Sequence, residues 1–284
     1  MKKSIKTFLK HPTKDSSNRS ANPAVIRAST ILFNSMQELY QHEKKIKKNQ
    51  KVSHYSYGRY GSSTTIELES ILKELEQAFH VFLTGTGFGG VALAIMSLCR
   101  PGDEIIVSDN VYGPTKEISE KLLKEFNVMA KFYDPNSFDD LKNKVSKKTK
   151  MILVENPGSN TFEFQDLSKI ISIAKKNKIL TAIDNTWATP YFFKPIKLGF
   201  DMAIVSATKY YSGHSDVMGG SLAINKKVFK QVEKAQKITG LRLGPDDAYL
   251  ITRGLRTLDV RLDKHQENAK KVAAFLSKNK KVKL

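Results

Sequence analysis

Cysteine, tryptophan and arginine are scarce in this chain of 284 residues. A single cysteine, Cys99, excludes an internal disulfide framework and any metal site built from several cysteines. Cys99 lies near the end of a helical pattern, and we interpret it as a small buried apolar side chain. No apolar run approaches the roughly 18–20 residues that span a bilayer. The basic start lacks a following apolar segment, so we expect neither a secretory signal nor a membrane partner, and a cytoplasmic location.

The positive charge comes almost entirely from lysine. The formal net charge is +19, and eight of the 47 basic residues are arginine, which leaves 39 lysines. Arginine is the preferred reader of bases and phosphates, so its scarcity argues against a nucleic-acid partner. We interpret the charge as a lysine-rich solvated surface. A nucleic-acid binder stays the weakest alternative, and a salt-sensitive complex with random DNA would revive it.

Hydrophobic patterning divides the chain into three parts. With 40% hydrophobic residues the chain can bury a sizeable core. Residues 1–65 are weakly periodic and predict an extended arm with one short helix near 36–48. Residues 66–250 predict one large domain of alternating strands and helices. Residues 251–284 predict a linking helix and the start of a further domain, because the pattern is continuously helical from Asp246 onward.

The alternation in the middle part predicts an α/β fold with a mostly parallel sheet covered by helices on both faces. Helices are expected at 66–75, 91–98, 115–126, 138–145 and 166–176. Strands are expected at 81–83, 104–108, 130–133, 151–155, 180–183, 202–206 and 221–224. Such sheets hold ligands at the carboxyl ends of their strands. Polar residues follow the strands at 84–90, Tyr112, Asn156, Asp184 and 206–209, so one sheet edge could gather them.

Two of these polar segments suggest an anionic ligand and an imine. The glycine-rich run 84–90 lies between a strand and a helix, where Gly87 lets the backbone approach an anion and Phe88 supplies the next N–H. A tight structural turn explains the same glycines. In the second segment, the hydroxyls of Ser206 and Thr208 could bind a phosphate, and Lys209 could reach an aldehyde on the same ligand. A polar loop with an exposed lysine is the alternative.

Asp184 and Tyr112 could complete such a site. Asp184 ends an apolar strand, where a carboxylate needs a cationic partner such as a protonated pyridine nitrogen. A turn or N-cap aspartate is the alternative reading. Tyr112 follows a strand and could stack on a cofactor ring, unless it is a core or turn tyrosine.

Several motifs in the same order resemble the cystathionine lyase/synthase family of Cys/Met metabolism, the trans-sulfuration enzymes that depend on pyridoxal 5′-phosphate (PLP). The resemblance covers nearly the whole chain. It implies the fold-type I, aspartate-aminotransferase-like architecture, with a mostly parallel seven-stranded sheet between helices. The motifs are Tyr57-Gly58-Arg59, Ala182-Ile183-Asp184-Asn185-Thr186-Trp187, Ser206-Ala207-Thr208-Lys209-Tyr210, Gly213-His214-Ser215-Asp216 and Gly254-Leu255-Arg256-Thr257-Leu258.

The resemblance implies a role for each matching residue. Lys209 would carry PLP as an imine and act as the base, and Asp184 would pair with the pyridine nitrogen. Tyr112 would stack on the ring and assist proton transfer. Ser206, Thr208 and the amides of Gly87 and Phe88 would bind the phosphate. Tyr57 and Arg59 would reach the cofactor of a neighbouring subunit, which implies a homodimer or homotetramer with shared active sites. No metal is expected.

Within the family, the sequence motifs favour the members that eliminate at the β-carbon of the substrate. The stretch Glu155-Asn156-Pro157-Gly158-Ser159 resembles theirs, although serine is more usual at position 156. The implied reaction is cleavage of the amino acid L-cystathionine to homocysteine, pyruvate and ammonia. A γ-lyase or γ-synthase on the same scaffold is the alternative, as is a chain that binds PLP without turnover.

The main departure from the family is length. Family members are typically about a hundred residues longer, and the part after Leu284 would include the small C-terminal domain with the arginine that binds the substrate carboxylate. No arginine in this sequence matches that position. We therefore expect cofactor binding more firmly than catalysis.

Overall fold

A computed structural model describes residues 4–11, 21–48 and 55–282. Its centre is a seven-stranded sheet in the order β1-β7-β6-β5-β4-β2-β3. The β7 strand is antiparallel to both of its neighbours, and every other neighbouring pair is parallel. The predicted α/β class with a mostly parallel seven-stranded sheet is confirmed. The strands are β1 (His80–Thr84), β2 (Glu104–Ser108), β3 (Met129–Tyr133), β4 (Thr149–Glu155), β5 (Leu180–Asp184), β6 (Met202–Ser206) and β7 (Gly220–Ile224).

Helices cover both faces of the sheet. The longer helices are α1 (Ile5–Lys10), α2 (Met36–Lys47), α3 (Ser63–Glu76), α4 (Gly87–Leu98), α7 (Phe138–Lys144), α8 (Leu167–Lys176), α11 (Phe229–Thr239), α12 (Pro245–Leu255) and α13 (Leu258–Leu276). The shorter ones are α5 (Gly113–Glu117), α6 (Leu123–Glu125), α9 (Thr189–Phe192) and α10 (Pro195–Leu198).

Successive side chains of each strand point to opposite faces and feed two apolar clusters. In β4, Ile152 and Val154 belong to the cluster that includes residues of α3, α8 and α12, whereas Met151 and Leu153 belong to the one that includes residues of α4 and α11. All four side chains are buried. Because both faces of a parallel strand are covered, its sequence is a continuous apolar run. Both carboxyl-terminal residues of the central pair β4 and β5 are acidic, and Glu155 is the register partner of Asp184.

Several elements differ from the sequence-based expectations. The arm is not wholly extended, because α1 buries Phe8 and Leu9 in the core. The expected helix at 115–126 is formed by α5 and α6 joined through a π-helical turn, Ile118–Leu122. The continuous helix expected after Asp246 is interrupted between α12 and α13. Helix α11 was not predicted at all.

The division into arm, large domain and linking helix stays a prediction, and its parts at 1–3, 12–20, 49–54 and 283–284 lie outside the described residues. Cys99 is buried as expected, and burial raises the pKa of its thiol to about 12. Among the described helices, none is both long and apolar enough to cross a membrane.

Candidate active site

A cavity of 1280 Å³ opens at the carboxyl ends of β4, β5 and β6 and at the start of α4. Parallel strands deliver their last residues to one edge, so side chains far apart in sequence meet there. The structure brings seven of the nine sequence-predicted site residues into its lining: Gly87, Phe88, Tyr112, Asp184, Ser206, Thr208 and Lys209.

One corner of the cavity is shaped for an anion. Helix α4 begins at Gly87, and its N-cap Thr86 accepts a hydrogen bond of 2.9 Å from the Gly89 N–H. The first-turn amides of Gly87 and Phe88 have no acceptor within the helix and lie at its positive end. A Cβ on Gly87 would lie 2.5 Å from the Ser206 Cβ and 2.7 Å from its Oγ. Glycine therefore permits the helix start and the Ser206 hydroxyl to form one corner, which fits a phosphate.

Lys209 lies on a tight loop directly after β6 and is exposed to solvent. The Lys209 N–H donates to the Ser206 carbonyl at 3.1 Å, and the Lys209 carbonyl accepts from Gly213 at 2.8 Å. The hydroxyl of Thr208 accepts from the Gly219 N–H at 3.1 Å. Helix α12 packs closely below, since a Cβ on Gly254 would lie only 2.3 Å from two loop carbonyl oxygens. These contacts hold the lysine on a fixed base.

A pair of carboxyl groups forms the floor of the cavity. Asp184 Oδ1 accepts from the Thr186 N–H at 2.9 Å. Burial raises the pKa of Asp184, and burial together with the neighbouring Asp184 raises the pKa of Glu155. Two partly buried carboxyls side by side favour a cation between or beside them. A protonated pyridine nitrogen fits this requirement.

Aromatic side chains form the remaining wall. Tyr112 is the N-cap residue of α5 and is 51% exposed, and its N–H donates to Glu155 Oε2 at 2.7 Å. Trp187 stacks on Tyr210 with ring centroids 5.9 Å apart, and the Phe162 ring is tilted against Trp187 with centroids 5.3 Å apart. A flat ring can enter between such groups.

Two predicted site residues, Tyr57 and Arg59, do not line this cavity. Tyr57 precedes the short 3₁₀ turn Gly58–Tyr60, and Arg59 lies over the Tyr60 ring at 4.9 Å and donates to the Lys237 carbonyl. Their predicted contact with a neighbouring subunit stays a prediction.

The sequence reasoning gave no role to several residues that line the cavity. Glu155 ends β4 as Asp184 ends β5, so the argument used for Asp184 would also have found it. Arg261 also lines the cavity, but its guanidinium donates to the carbonyls of Tyr210 and Gly254 at 2.8 Å and to the Thr257 hydroxyl at 3.1 Å. Other lining residues without an assigned role include Phe162, Thr186, Trp187, Tyr210 and His265.

Solved structures with the same fold define the class. A cystathionine γ-synthase from Xanthomonas oryzae pv. oryzae, in complex with aminoacrylate and cysteine, has a TM-score of 0.89 and 30% identity, covering 99% of this chain and 70% of that chain. A putative O-acetylhomoserine (thiol)-lyase from Campylobacter jejuni contains N′-pyridoxyl-lysine-5′-monophosphate, with a TM-score of 0.89, 26% identity and coverage of 99% and 77%. The fold is that of PLP-dependent enzymes of cysteine and methionine metabolism.

Sequence comparison gives the family. The model of the Cys/Met metabolism PLP-dependent enzymes matches residues 6–284. A putative cystathionine β-lyase from Rhizobium johnstonii is 36% identical over 255 residues, 90% of this chain. A cystathionine β-lyase from Bordetella avium is 33% identical over 286 residues, covering 99% of this chain and 71% of that relative. This chain belongs to the Cys/Met metabolism family of PLP-dependent enzymes. It spans 62% of the length of the Rhizobium relative.

Proposed function

We propose that this protein carries PLP on Lys209 and cleaves L-cystathionine to homocysteine, pyruvate and ammonia, as a cystathionine β-lyase. The observation that carries the proposal is the meeting of three groups in one cavity: the anion corner at Gly87, the carboxyl of Asp184 and the amine of Lys209. Each suits a different part of PLP, and the three come from separate segments. The family match independently supports PLP as the cofactor.

The phosphate of PLP would be held at the helix start. The amides of Gly87 and Phe88 and the hydroxyl of Ser206 would bind it there, and the hydroxyl of Thr208, two residues after Ser206, would add a further hydrogen bond. Charge-assisted hydrogen bonds to amides at a helix N-terminus both bind and orient a phosphate. Anchored in this way, the ring would extend toward the floor of the cavity.

Asp184 would keep the pyridine nitrogen protonated. Its Oδ1 is fixed by the Thr186 N–H, which orients the carboxyl. When bound, PLP supplies an electron sink for the charge left on Cα, and a protonated ring nitrogen strengthens that sink. Tyr112 would stack on the ring and assist proton transfer.

Lys209 would have two tasks. It would carry the cofactor covalently and then, once the substrate amine has replaced it, take the proton from Cα with its Nζ as general base. The loop bonds at Ser206 and Gly213 keep the lysine backbone in place while the side chain moves between these tasks. The Cβ–S bond would then break, with homocysteine leaving as its thiolate, and water would hydrolyse the remaining three-carbon unit to pyruvate and ammonia.

Tyr57 and Arg59 would complete the phosphate site of a neighbouring subunit. Both lie outside the cavity of their own chain, and Tyr57 is 47% exposed. This supports a homodimer or homotetramer with shared active sites. In the proposed assembly, the exposed Tyr57 ring would be covered.

We propose elimination at the β-carbon of the substrate because of the sequence of the loop after β4 and because of the relatives named cystathionine β-lyase. The loop is tightly packed: a Cβ on Gly158 would lie 2.1 Å from the Asn110 side-chain nitrogen, and the Ser159 N–H donates to the Asn110 carbonyl at 2.7 Å. A γ-acting enzyme is the alternative, because a solved γ-synthase shares the fold at 30% identity.

The test is product analysis with L-cystathionine and PLP-saturated protein. Pyruvate with homocysteine is the expected result, and Lys209→Ala is expected to abolish its formation. Formation of 2-oxobutyrate with cysteine would overturn β-elimination and favour the γ-lyase. The visible absorbance band of lysine-bound PLP with neither product would favour a chain that binds PLP without turnover.

A further inference from the structure

Glu155 contacts two groups of the proposed site at once. Its carboxyl lies on the floor beside Asp184, because the two residues are register partners at the ends of β4 and β5. Its Oε2 also accepts a hydrogen bond of 2.7 Å from the backbone N–H of Tyr112. No role for Glu155 follows from the reaction proposed above.

The backbone of Glu155 is fixed on both sides. Its N–H donates to the Ser108 hydroxyl at 3.3 Å, and its carbonyl accepts from the Gln165 side-chain amide at 3.1 Å. Gln165 is itself bonded through its N–H to Asn156 Oδ1 at 2.7 Å. The Glu155 side chain therefore extends from a rigid base, which is what a positioning group needs.

Tyr112, in contrast, is not enclosed by its neighbours. The residue is about half exposed, so packing alone does not fix its ring. Its carbonyl begins α5 by accepting from Thr115 at 2.8 Å, and its N–H is bonded to Glu155. This bond, together with the Val111 N–H that donates to the Ser108 carbonyl at 3.3 Å, ties the entry of the chain into α5 to the sheet.

We propose that Glu155 is a positioning residue, which holds the Tyr112 backbone so that the phenol ring lies over the cofactor ring. The inference rests on the proposed cofactor site. Asp184 keeps the pairing with the ring nitrogen, and Glu155 acts through Tyr112. A carboxylate, a carboxylic acid and a primary amide all offer an oxygen to the Tyr112 N–H, so the tether does not require the charge of Glu155.

The test compares Glu155→Ala and Glu155→Gln by PLP titration and by the circular dichroism of the bound cofactor in its visible band, which reports ring orientation. Alanine removes the tether and frees the Tyr112 backbone, so we expect PLP affinity to fall by about tenfold or more and the visible signal to change. Glutamine keeps an acceptor, so we expect the wild-type signal and an affinity within about threefold of wild type.

Glu163→Ala is the matched control. Glu163 lies in the loop that follows β4 and bonds to the side chains of Asn110 and Thr161, but it does not line the cavity. Its loss removes one carboxylate without touching Tyr112, and wild-type behaviour is expected. Far-ultraviolet circular dichroism verifies that each variant is folded.

Two results would overturn the inference. One is wild-type PLP affinity and visible signal in Glu155→Ala. The other is an equal loss of PLP affinity in Glu155→Gln and Glu155→Ala, which would assign the effect to the charge of Glu155. If the alanine variant does not fold, Glu155→Asp replaces it, because its shorter carboxylate cannot span the same distance. The altered signal is then expected, and a wild-type signal overturns the tether. Wild-type protein without a PLP band would instead refute the proposed site and this inference together.

Discussion

Because Gly87 lies so close to Ser206, adding one methyl group at Gly87 tests whether the corner formed by these two residues binds the phosphate. In Gly87→Ala, the new Cβ would lie 2.5 Å from the Ser206 Cβ and 2.8 Å from its Cα. Ordinary contact between carbon atoms begins near 3.5 Å, so the two segments must separate by roughly 1 Å. The contact is with the Cβ and Cα of Ser206, the last residue of β6, rather than with a flexible side-chain end, so the strain cannot be relieved by a rotamer change.

A separation of that size breaks the geometry of the corner. An N–H···O hydrogen bond of about 2.9 Å becomes too long to be effective after a shift of roughly 1 Å. Hydrogen bonds to charged groups are worth about 1.5–3 kcal/mol each, so the loss of one predicts a fall in PLP affinity of roughly 10- to 150-fold. Folding is expected to survive, since overpacking typically costs about 1–3 kcal/mol.

The assay is titration of the apo-protein with PLP, followed by visible absorbance. Gly113→Ala is the matched control: Gly113 also begins a helix beside the cavity, and a Cβ there would meet no atom within 4 Å. It should bind PLP as wild type does. Wild-type affinity in a folded Gly87→Ala protein would refute the reasoning that this corner holds the phosphate.

Two further predictions concern a buried acid and the single tryptophan. Burial raises the pKa of Glu76 to about 7, above the unfolded value of about 4.3, so Glu76 destabilises the fold as pH rises through that interval. Glu76→Gln, which retains an acceptor for the Tyr211 hydroxyl, should therefore gain roughly 2–3 kcal/mol more unfolding free energy at about pH 8 than at about pH 5 in denaturant titrations, and a pH-independent difference would contradict this. Trp187, the only tryptophan, lines the cavity, so bound PLP should quench the tryptophan emission by absorbing in the same wavelength range. Unchanged emission at PLP saturation would contradict the placement of PLP beside Trp187. The variant Trp187→Phe should lose the emission but keep the visible PLP band.

The strands were predictable because a buried parallel strand is an uninterrupted apolar run. The stretch from Met151 to Val154 shows this, with every side chain buried. Helix α11 was missed because it is rich in lysine and buries only Val232 and Gln236, too few for a visible stripe. Gln236 is polar, and its side-chain amide donates to the Leu83 carbonyl at 2.7 Å, a contact across 153 residues that no local pattern contains.

The candidate site was partly predictable for a related reason. Polar residues after apolar strands pointed to Asp184 and Lys209, and the family resemblance added their roles. The part played by Glu155 depends on a hydrogen bond to Tyr112, 43 residues earlier in the chain. Which strands are neighbours decides such a contact. The order β4 beside β2 and β5 results from packing of the whole sheet and is not encoded in any one segment.

The most direct test of the central claim is to locate the PLP-bearing lysine. Wild-type protein saturated with PLP is reduced with borohydride, digested and mapped by mass spectrometry. The account predicts that, of the 39 lysines, Lys209 carries the phosphopyridoxyl group, and that Lys209→Arg carries none at that position and lacks the visible band. Stoichiometric label on any other lysine, with Lys209 unmodified, would contradict it.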